Sequence, residues 1–213
     1  MLKYKLINLL KEEDMKALKG ITLLFLIVIN IIFSACSNNN SSSVPTIKQG
    51  EDSISKTLEI SFPYVKQKGY ATNQFAVWIE NESGEYIKTI FVTKFTATKG
   101  YEKRKDAIPT WVEKSNISDG STREIDTVTG STPKKSAYLV YVWDCKDKDG
   151  NEVPKGVYNY YVEGTVKWES RVLYSGKIEV GGIDSSSEAK VEYSTEEAKE
   201  SDMIGEVKAV YNK

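Results

Sequence analysis

Phe75-Ala76-Val77-Trp78-Ile79, then Glu80-Asn81-Glu82-Ser83-Gly84-Glu85, then Tyr86 to Phe95, decides the fold class. Phe75, Val77 and Ile79 alternate with Ala76 and Trp78, a period of two that sends successive side chains to opposite faces of a strand. The polar hexapeptide reads as a turn, and Tyr86 to Phe95 returns as the second strand of a hairpin.

The same period recurs outward from this hairpin. From Ser55 onward, Leu58, Ile60 and Phe62 alternate with polar neighbours, and Ala137 to Trp143 places Leu139, Tyr141 and Trp143 on one face. Val157 to Trp168 and Arg171 to Val180 read as long strands around Glu169-Ser170, with Gly156 in a tight turn before the first. Asp144 to Glu152 is a polar hairpin connection. Residues 96 to 124 read as irregular and lysine-rich, anchored by Trp111, whose indole is too large to leave in water. Many short strands without helical periodicity predict an all-β chain, an immunoglobulin-like β-sandwich of about seven strands over residues 55–182. The acidic tail, 183–213, offers extra strands at Ala189 to Tyr193 and Glu206 to Tyr211.

Composition excludes several function classes. The 213 residues suffice for one domain plus a tether. A net charge of -1, with Lys and Glu mixed along the chain, lacks the basic footprint of a nucleic-acid binder. Histidine is absent, which removes Ser-His-Asp and Cys-His nucleophile pairs and every His-based metal site. Abundant Tyr, with frequent Val and Thr, favours strands.

The amino terminus reads as an export address. Lys16 and Lys19 precede the apolar run Ile21 to Phe33, and Phe33-Ser34-Ala35-Cys36 closes it. These four residues resemble a bacterial lipobox, which implies a signal peptide over 1–35 and a diacylglycerol on Cys36 that holds the protein to the lipid bilayer. Phe33 stands where Leu or Val is more usual. An uncleaved anchor helix is the alternative, and both tether the protein to a membrane outside the cytoplasm. The acidic cluster Glu12-Glu13-Asp14 is atypical of such a signal, so Met15 is the expected start. Residues 36–54, rich in Ser and Asn, cannot bury apolar surface and read as a flexible tether. With Cys36 lipidated, Cys145 has no partner; a Cys36–Cys145 disulfide is the other possibility.

Ile125-Asp126-Thr127-Val128-Thr129-Gly130-Ser131-Thr132-Pro133 carries the pattern closest to chemistry. It resembles the Asp-x-x-Ser/Thr-Gly-Ala/Ser-Thr signature at which flavin transferases attach flavin mononucleotide (FMN) to exported bacterial proteins. The resemblance implies covalent FMN on the Thr132 hydroxyl, Asp126 and Thr129 as recognition elements, and Gly130 and Ser131 as backbone clearance. Ser131 stands where Ala is more usual. The same residues also read as an ordinary turn, with Asp126 opening it, Gly130 taking positive φ and Thr132-Pro133 starting the next strand.

Val77-Trp78-Ile79-Glu80 with Gly84 and Thr89, then Trp111, Asp126 to Thr132, Trp143-Asp144 with Asp147 and Asp149-Gly150, and Gly156-Val157-Tyr158 with Val162-Glu163 together resemble a bacterial periplasmic family, domain of unknown function 2271. The likeness covers roughly residues 55–182 and implies an immunoglobulin-like fold and flavinylated electron transfer outside the cytoplasm. Cys145 stands where members more often have Gly, and Lys167-Trp168-Glu169-Ser170-Arg171 replaces a charged stretch. The Trp-Asp and Gly-x-Tyr pattern recurs in the immunoglobulin-like domain of flagellar hook-capping proteins, so it reports fold more than function.

Other constellations are weaker. Asp144, Asp147, Asp149 and Asn151 invite a calcium loop, but counting from Asp147 the sixth position is Glu152 and the twelfth Tyr158, where an EF-hand needs Gly and Glu. Lys146 and Lys148 would favour a Cys145 thiolate, yet no second Cys stands at Cys-x-x-Cys spacing. Trp143, Tyr158, Tyr160, Tyr161 and Trp168 read as core and sheet-face residues, or as a stacking surface for a flavin if exposed beside Thr132. The expectation is a lipid-anchored carrier of covalent FMN without metal, not itself an enzyme, loaded by a separate FMN transferase and served by a membrane-bound reductase or other envelope redox protein. A binding or structural envelope lipoprotein without cofactor is the alternative.

Overall fold

The computed structural model describes residues 56–70, 72–119, 125 and 128–213. The expected signal peptide, Met15 start, Cys36 and tether lie outside these residues, as does Asp126. Among the described residues ten strands form two sheets, three more than the seven or so expected. β1 (Thr57–Tyr64), β5 (Ala137–Trp143), β8 (Ser185–Glu188) and β10 (Lys208–Asn212) make a four-stranded sheet in the order β5-β1-β10-β8. β2 (Gln74–Asn81), β3 (Tyr86–Thr93), β4 (Thr129–Gly130), β6 (Gly156–Lys167), β7 (Ser170–Val180) and β9 (Lys190–Tyr193) make a six-stranded sheet in the order β4-β3-β2-β6-β7-β9. Pairing is antiparallel except between β3 and β4.

The alternation read from sequence is what joins the sheets. Leu58, Ile60 and Phe62 of β1 and Trp143 of β5 face Phe75, Val77 and Ile79 of β2 and Tyr158, Tyr160 and Val162 of β6 in one fully buried core. Phe62 and Phe75 meet edge to face with centroids 6.0 Å apart, a preferred aromatic geometry. The segment after 182 belongs to both sheets. β10 lies between β1 and β8, with Tyr211 opposite Leu58 and Ala209 opposite Ile60, and β9 pairs with the outer edge of β7. The acidic tail therefore carries strands of the sandwich itself.

β2 is buried on both faces, and the reason lies in residues 96–119. Where sequence suggested an irregular segment, the chain makes a helical turn at Thr96–Gly100, α1 (Tyr101–Lys103), α2 (Pro109–Ser115) and a short turn at Ile117–Asp119. Ile108, Trp111 and Ile117 from this cap, together with Ile125 beyond it, bury Ala76, Trp78 and Val92 in a second core on the outer face of the six-stranded sheet. Trp111 is its anchor, as expected, with no exposed surface. A last helix, α3 (Glu196–Glu200), is capped by Thr195, whose hydroxyl accepts the Ala198 N–H at 3.1 Å.

Register in the opening hairpin is adjusted by two bulges. Val77 pairs with Phe91 and Trp78 with Thr89, leaving Ile90 over; Ile79 pairs with Lys88 and Glu80 with Tyr86, leaving Ile87 over. Each extra residue switches which face the strand presents. Phe91 consequently joins the inner core while Thr89 faces the cap.

Candidate functional site

The chain leaves the cap at Ile125, which is buried in the second core, and becomes β4 at the edge of the six-stranded sheet. Thr129 and Gly130 run parallel to β3, opposite Val92 and Thr93. The Thr129 hydroxyl donates to the Ile125 carbonyl at 2.6 Å, closing the loop on its buried anchor. Gly130 is not in a positive-φ conformation, so the turn reading does not explain it. A Cβ there would lie 2.3 Å from the Phe91 ring, so the absent side chain makes room for that ring. Phe91 in turn stacks on Phe75 and Tyr141, with centroids at 5.0 and 4.6 Å.

Beyond this fixed point the motif opens to solvent. Ser131 is exposed and Thr132 half-exposed, and among the described residues neither hydroxyl makes a hydrogen bond. The two threonines are thus in different states: Thr129 is committed to its own loop, and Thr132 presents a free hydroxyl just before β5.

The aromatic residues singled out from sequence divide in the same way. Trp143, Tyr158 and Tyr160 are sealed in the inner core. Tyr161 lies flat against Trp78 at 4.9 Å, so one ring face is taken. Trp168 is exposed and shares the Arg104 guanidinium with Phe95, at 5.7 and 5.9 Å from the ring centroids. The five do not form one stacking surface.

Burial argues further against the weaker reading of Cys145 as a redox thiol. Cys145 is buried, and burial first, then Asp144, pushes its thiol up to about 11 despite nearby Lys56. Lys146 and Lys148 do not outweigh that burial. Its backbone holds φ 54°, a left-handed conformation natural to glycine. In the same hairpin Asp147 accepts the N–H groups of Asp149 and Asn151, both at 2.9 Å, which hold its carboxyl below the usual range. That carboxylate serves the turn rather than a cation.

Five other residues quoted for the resemblance, Trp78, Glu80, Thr89, Trp111 and Glu163, meet under the cap. The Trp78 indole donates to Glu80 at 3.0 Å, Lys114 of α2 reaches Glu80 at 3.5 Å, and the Trp111 indole donates to Thr89 at 2.9 Å. Glu163 accepts the backbone N–H groups of Thr110 and Trp111 at 3.2 and 2.9 Å and pairs with Arg171 at 3.1 Å. The family model for predicted periplasmic proteins of the domain of unknown function 2271 (DUF2271) matches residues 55–199, about two thirds of the chain.

The chain belongs to this family. The match reaches past 182 through β8, β9 and most of α3, in keeping with the tail's place in the sandwich. Its description as periplasmic supports a location outside the cytoplasm. No curated protein and no solved structure matches significantly. The residues quoted for the resemblance have physical roles. Trp78, Glu80, Thr89, Trp111 and Glu163 tie the cap to the sheet, while Trp143 and Tyr158 brace the hairpin, their rings 5.4 Å apart. Glycine at position 145 would suit the left-handed backbone there.

Glu163 was visible in sequence only as part of the pattern. Its task, holding the start of α2 from a strand fifty residues away, was not. A signal existed: a carboxylate inside Val162-Glu163-Gly164-Thr165-Val166 on the face opposite the core residues implies a buried polar tie.

Proposed function

We propose that this DUF2271 protein is a lipid-anchored carrier of covalent FMN, with Thr132 the attachment site and Cys36 the lipidated residue. The observation that carries the reading is the difference between the loop's two threonines, one hydrogen-bonded within the loop and one half-exposed and uncommitted at a sheet edge. In attachment, the Thr132 Oγ attacks the FMN-side phosphorus of flavin adenine dinucleotide held by a separate transferase. The Oγ–P bond forms, the pyrophosphate P–O bond breaks, adenosine monophosphate leaves, and the hydroxyl proton passes to the transferase's base. The residues present fit this role: Ser131 and Thr132 are accessible, and Ile125, Thr129 and Gly130 against Phe91 hold the loop's other end still. When bound, the isoalloxazine would supply one- and two-electron redox chemistry between a membrane reductase and an outer acceptor.

The full chain, coexpressed with a flavin transferase and exported, should gain one FMN by intact mass. Thr132→Ala should abolish the gain and Ser131→Ala should keep it. No gain under conditions where the same transferase labels a known acceptor would sink the reading. A second reading, an envelope binding module without cofactor, is favoured by the apolar outer face of β5, where Tyr138, Val140 and Val142 are exposed. It predicts unmodified protein in every such experiment.

A further inference from the structure

The end of the sandwich opposite Thr132 holds a polar cleft. β5 runs antiparallel to β1, so Thr132, just before Ala137, and Cys145, just after Trp143, lie at opposite ends of a strand roughly 20 Å long. At the Cys145 end, Lys56, Cys145, Lys146, Lys155, Gly181 and Tyr211 surround a cleft of about 320 Å³. That is the lower end of the range for small-molecule sites.

Three features make it an anion site. First, three lysines and two acidic residues line it, and Asp144 is already held by Lys88 at 3.3 Å, which leaves Glu152 against Lys56, Lys146 and Lys155. None of these three lysines forms an ion pair among the described residues. Second, Tyr211 is fully buried and its hydroxyl has no hydrogen-bond partner. A buried hydroxyl left unpaired is destabilising, and since Tyr211 also lines the cleft, a ligand oxygen entering there would satisfy it once the side chains covering the hydroxyl shift aside. Third, Gly181 is bare where the Lys155 stem crosses it; a Cβ there would stand 2.5 Å from the Lys155 Cγ. The glycine thus lets that lysine lie across the cleft.

The donor set selects the anion. Among the described residues no arginine lines the cleft, so they offer no flat two-pronged fork of the kind that suits a carboxylate. Three compact point charges and one phenol donor suit an anion with three or four oxygens spread in space. We propose that this cleft binds a phosphate group, with Lys56, Lys146 and Lys155 as counter-charges and the Tyr211 hydroxyl as donor. The group would belong to free phosphate or to a phospholipid headgroup. This site is independent of the Thr132 reading.

Thermal unfolding of the full chain with inorganic phosphate, against chloride at equal ionic strength, tests it. Phosphate at ten times its Kd should raise Tm by roughly 4 °C beyond chloride. Tyr211→Phe keeps the ring and removes the orphan hydroxyl, so it should raise Tm without phosphate while cutting the phosphate shift at least twofold. Lys56→Ala and Lys155→Ala, both at exposed positions, should leave the phosphate-free Tm near the parent's and also shrink the shift. sn-Glycerol 3-phosphate, a soluble stand-in for a lipid headgroup, separates the sources: tighter binding than inorganic phosphate assigns a lipid, equal binding assigns free phosphate. A phosphate shift no larger than that of chloride, or one unchanged in Tyr211→Phe and both lysine variants, would overturn the assignment.

Discussion

The outer faces of the two sheets follow opposite rules. On the four-stranded sheet, Tyr138, Val140 and Val142 of β5 are 62%, 50% and 52% exposed, with Pro63, Ser61 and Glu59 of β1 opposite them. On the six-stranded sheet, Ala76, Trp78, Glu163 and Thr165 have no exposed surface at all. Both sheets are amphipathic ladders on the inside; what differs is whether something covers the back. The capped face is held by hydrogen bonds as well as packing, since Thr89, Glu80 and Glu163 each serve a group on the cap. Such ties fix one arrangement of helix on sheet, where greasy contact alone would permit sliding.

The largest expected effect lies in the capped face. Trp111→Ala removes the anchor of the second core and leaves the Thr89 hydroxyl without its indole donor. A loss of about 3–5 kcal/mol is expected in urea unfolding. A loss below about 1 kcal/mol would mean that the cap folds apart from the sandwich, and the contrast between the two faces would collapse.

Glu163 tests the polar ties. Glu163→Gln keeps the shape but weakens the bonds to Thr110, Trp111 and Arg171, and should cost about 1–3 kcal/mol. Burial pushes the Glu163 carboxyl above the ordinary carboxylate range, against the pull of Trp111, Thr110 and Arg171. The folded state therefore keeps this proton to higher pH than the unfolded chain, whose value is about 4.3. The protonated group's contribution is fully present below the unfolded value and fades as pH rises through the folded one. Gln never titrates, so the penalty of the substitution should be largest near pH 4 and shrink towards pH 8. Urea titrations at both pH values check the sign; a penalty that grows with pH would mean that the carboxylate stays ionised beside Arg171.

These two residues also show where sequence reading stops. Alternation located β1, β2 and the whole of β5, because each carries its own inward-facing set. The cap was not legible, since its helices run only three to seven residues and α2 begins on donors that meet Glu163, a residue from a distant strand. Nor was the partner of β10, because pairing Tyr211 with Leu58 closes a loop across most of the described chain. At the candidate site, the motif named Thr132 and its neighbours, but no sequence pattern could tell that Thr129 would be tied to Ile125 while Thr132 stayed free. The cleft at Tyr211 was invisible for the same reason: its lining comes from five strand ends and their connections.

Gly130 sits where the capped sheet meets its open edge. Gly130→Ala pushes a methyl into the Phe91 ring, which is already wedged against Phe75 and Tyr141. About 1–3 kcal/mol should be lost by chemical denaturation, as for other overpacked sites. If Ala is accepted without cost, Phe91 can swing away, and β4 is a looser edge than the register with Val92 and Thr93 implies.

The smallest effect should come from the uncovered face. Val140→Thr keeps the branched shape that suits a strand and exchanges one methyl for a hydroxyl that water can reach, opposite Ser61 on β1. A change within about 0.5 kcal/mol is expected in the same urea assay. The value of the experiment lies in its failure. A cost above about 1.5 kcal/mol would say that Val140 is buried in the folded chain by a segment outside the described residues, because a solvated valine has no such packing to lose. The two sheets would then both be covered, and the apolar strip on β5 would be an internal contact rather than a surface open to partners.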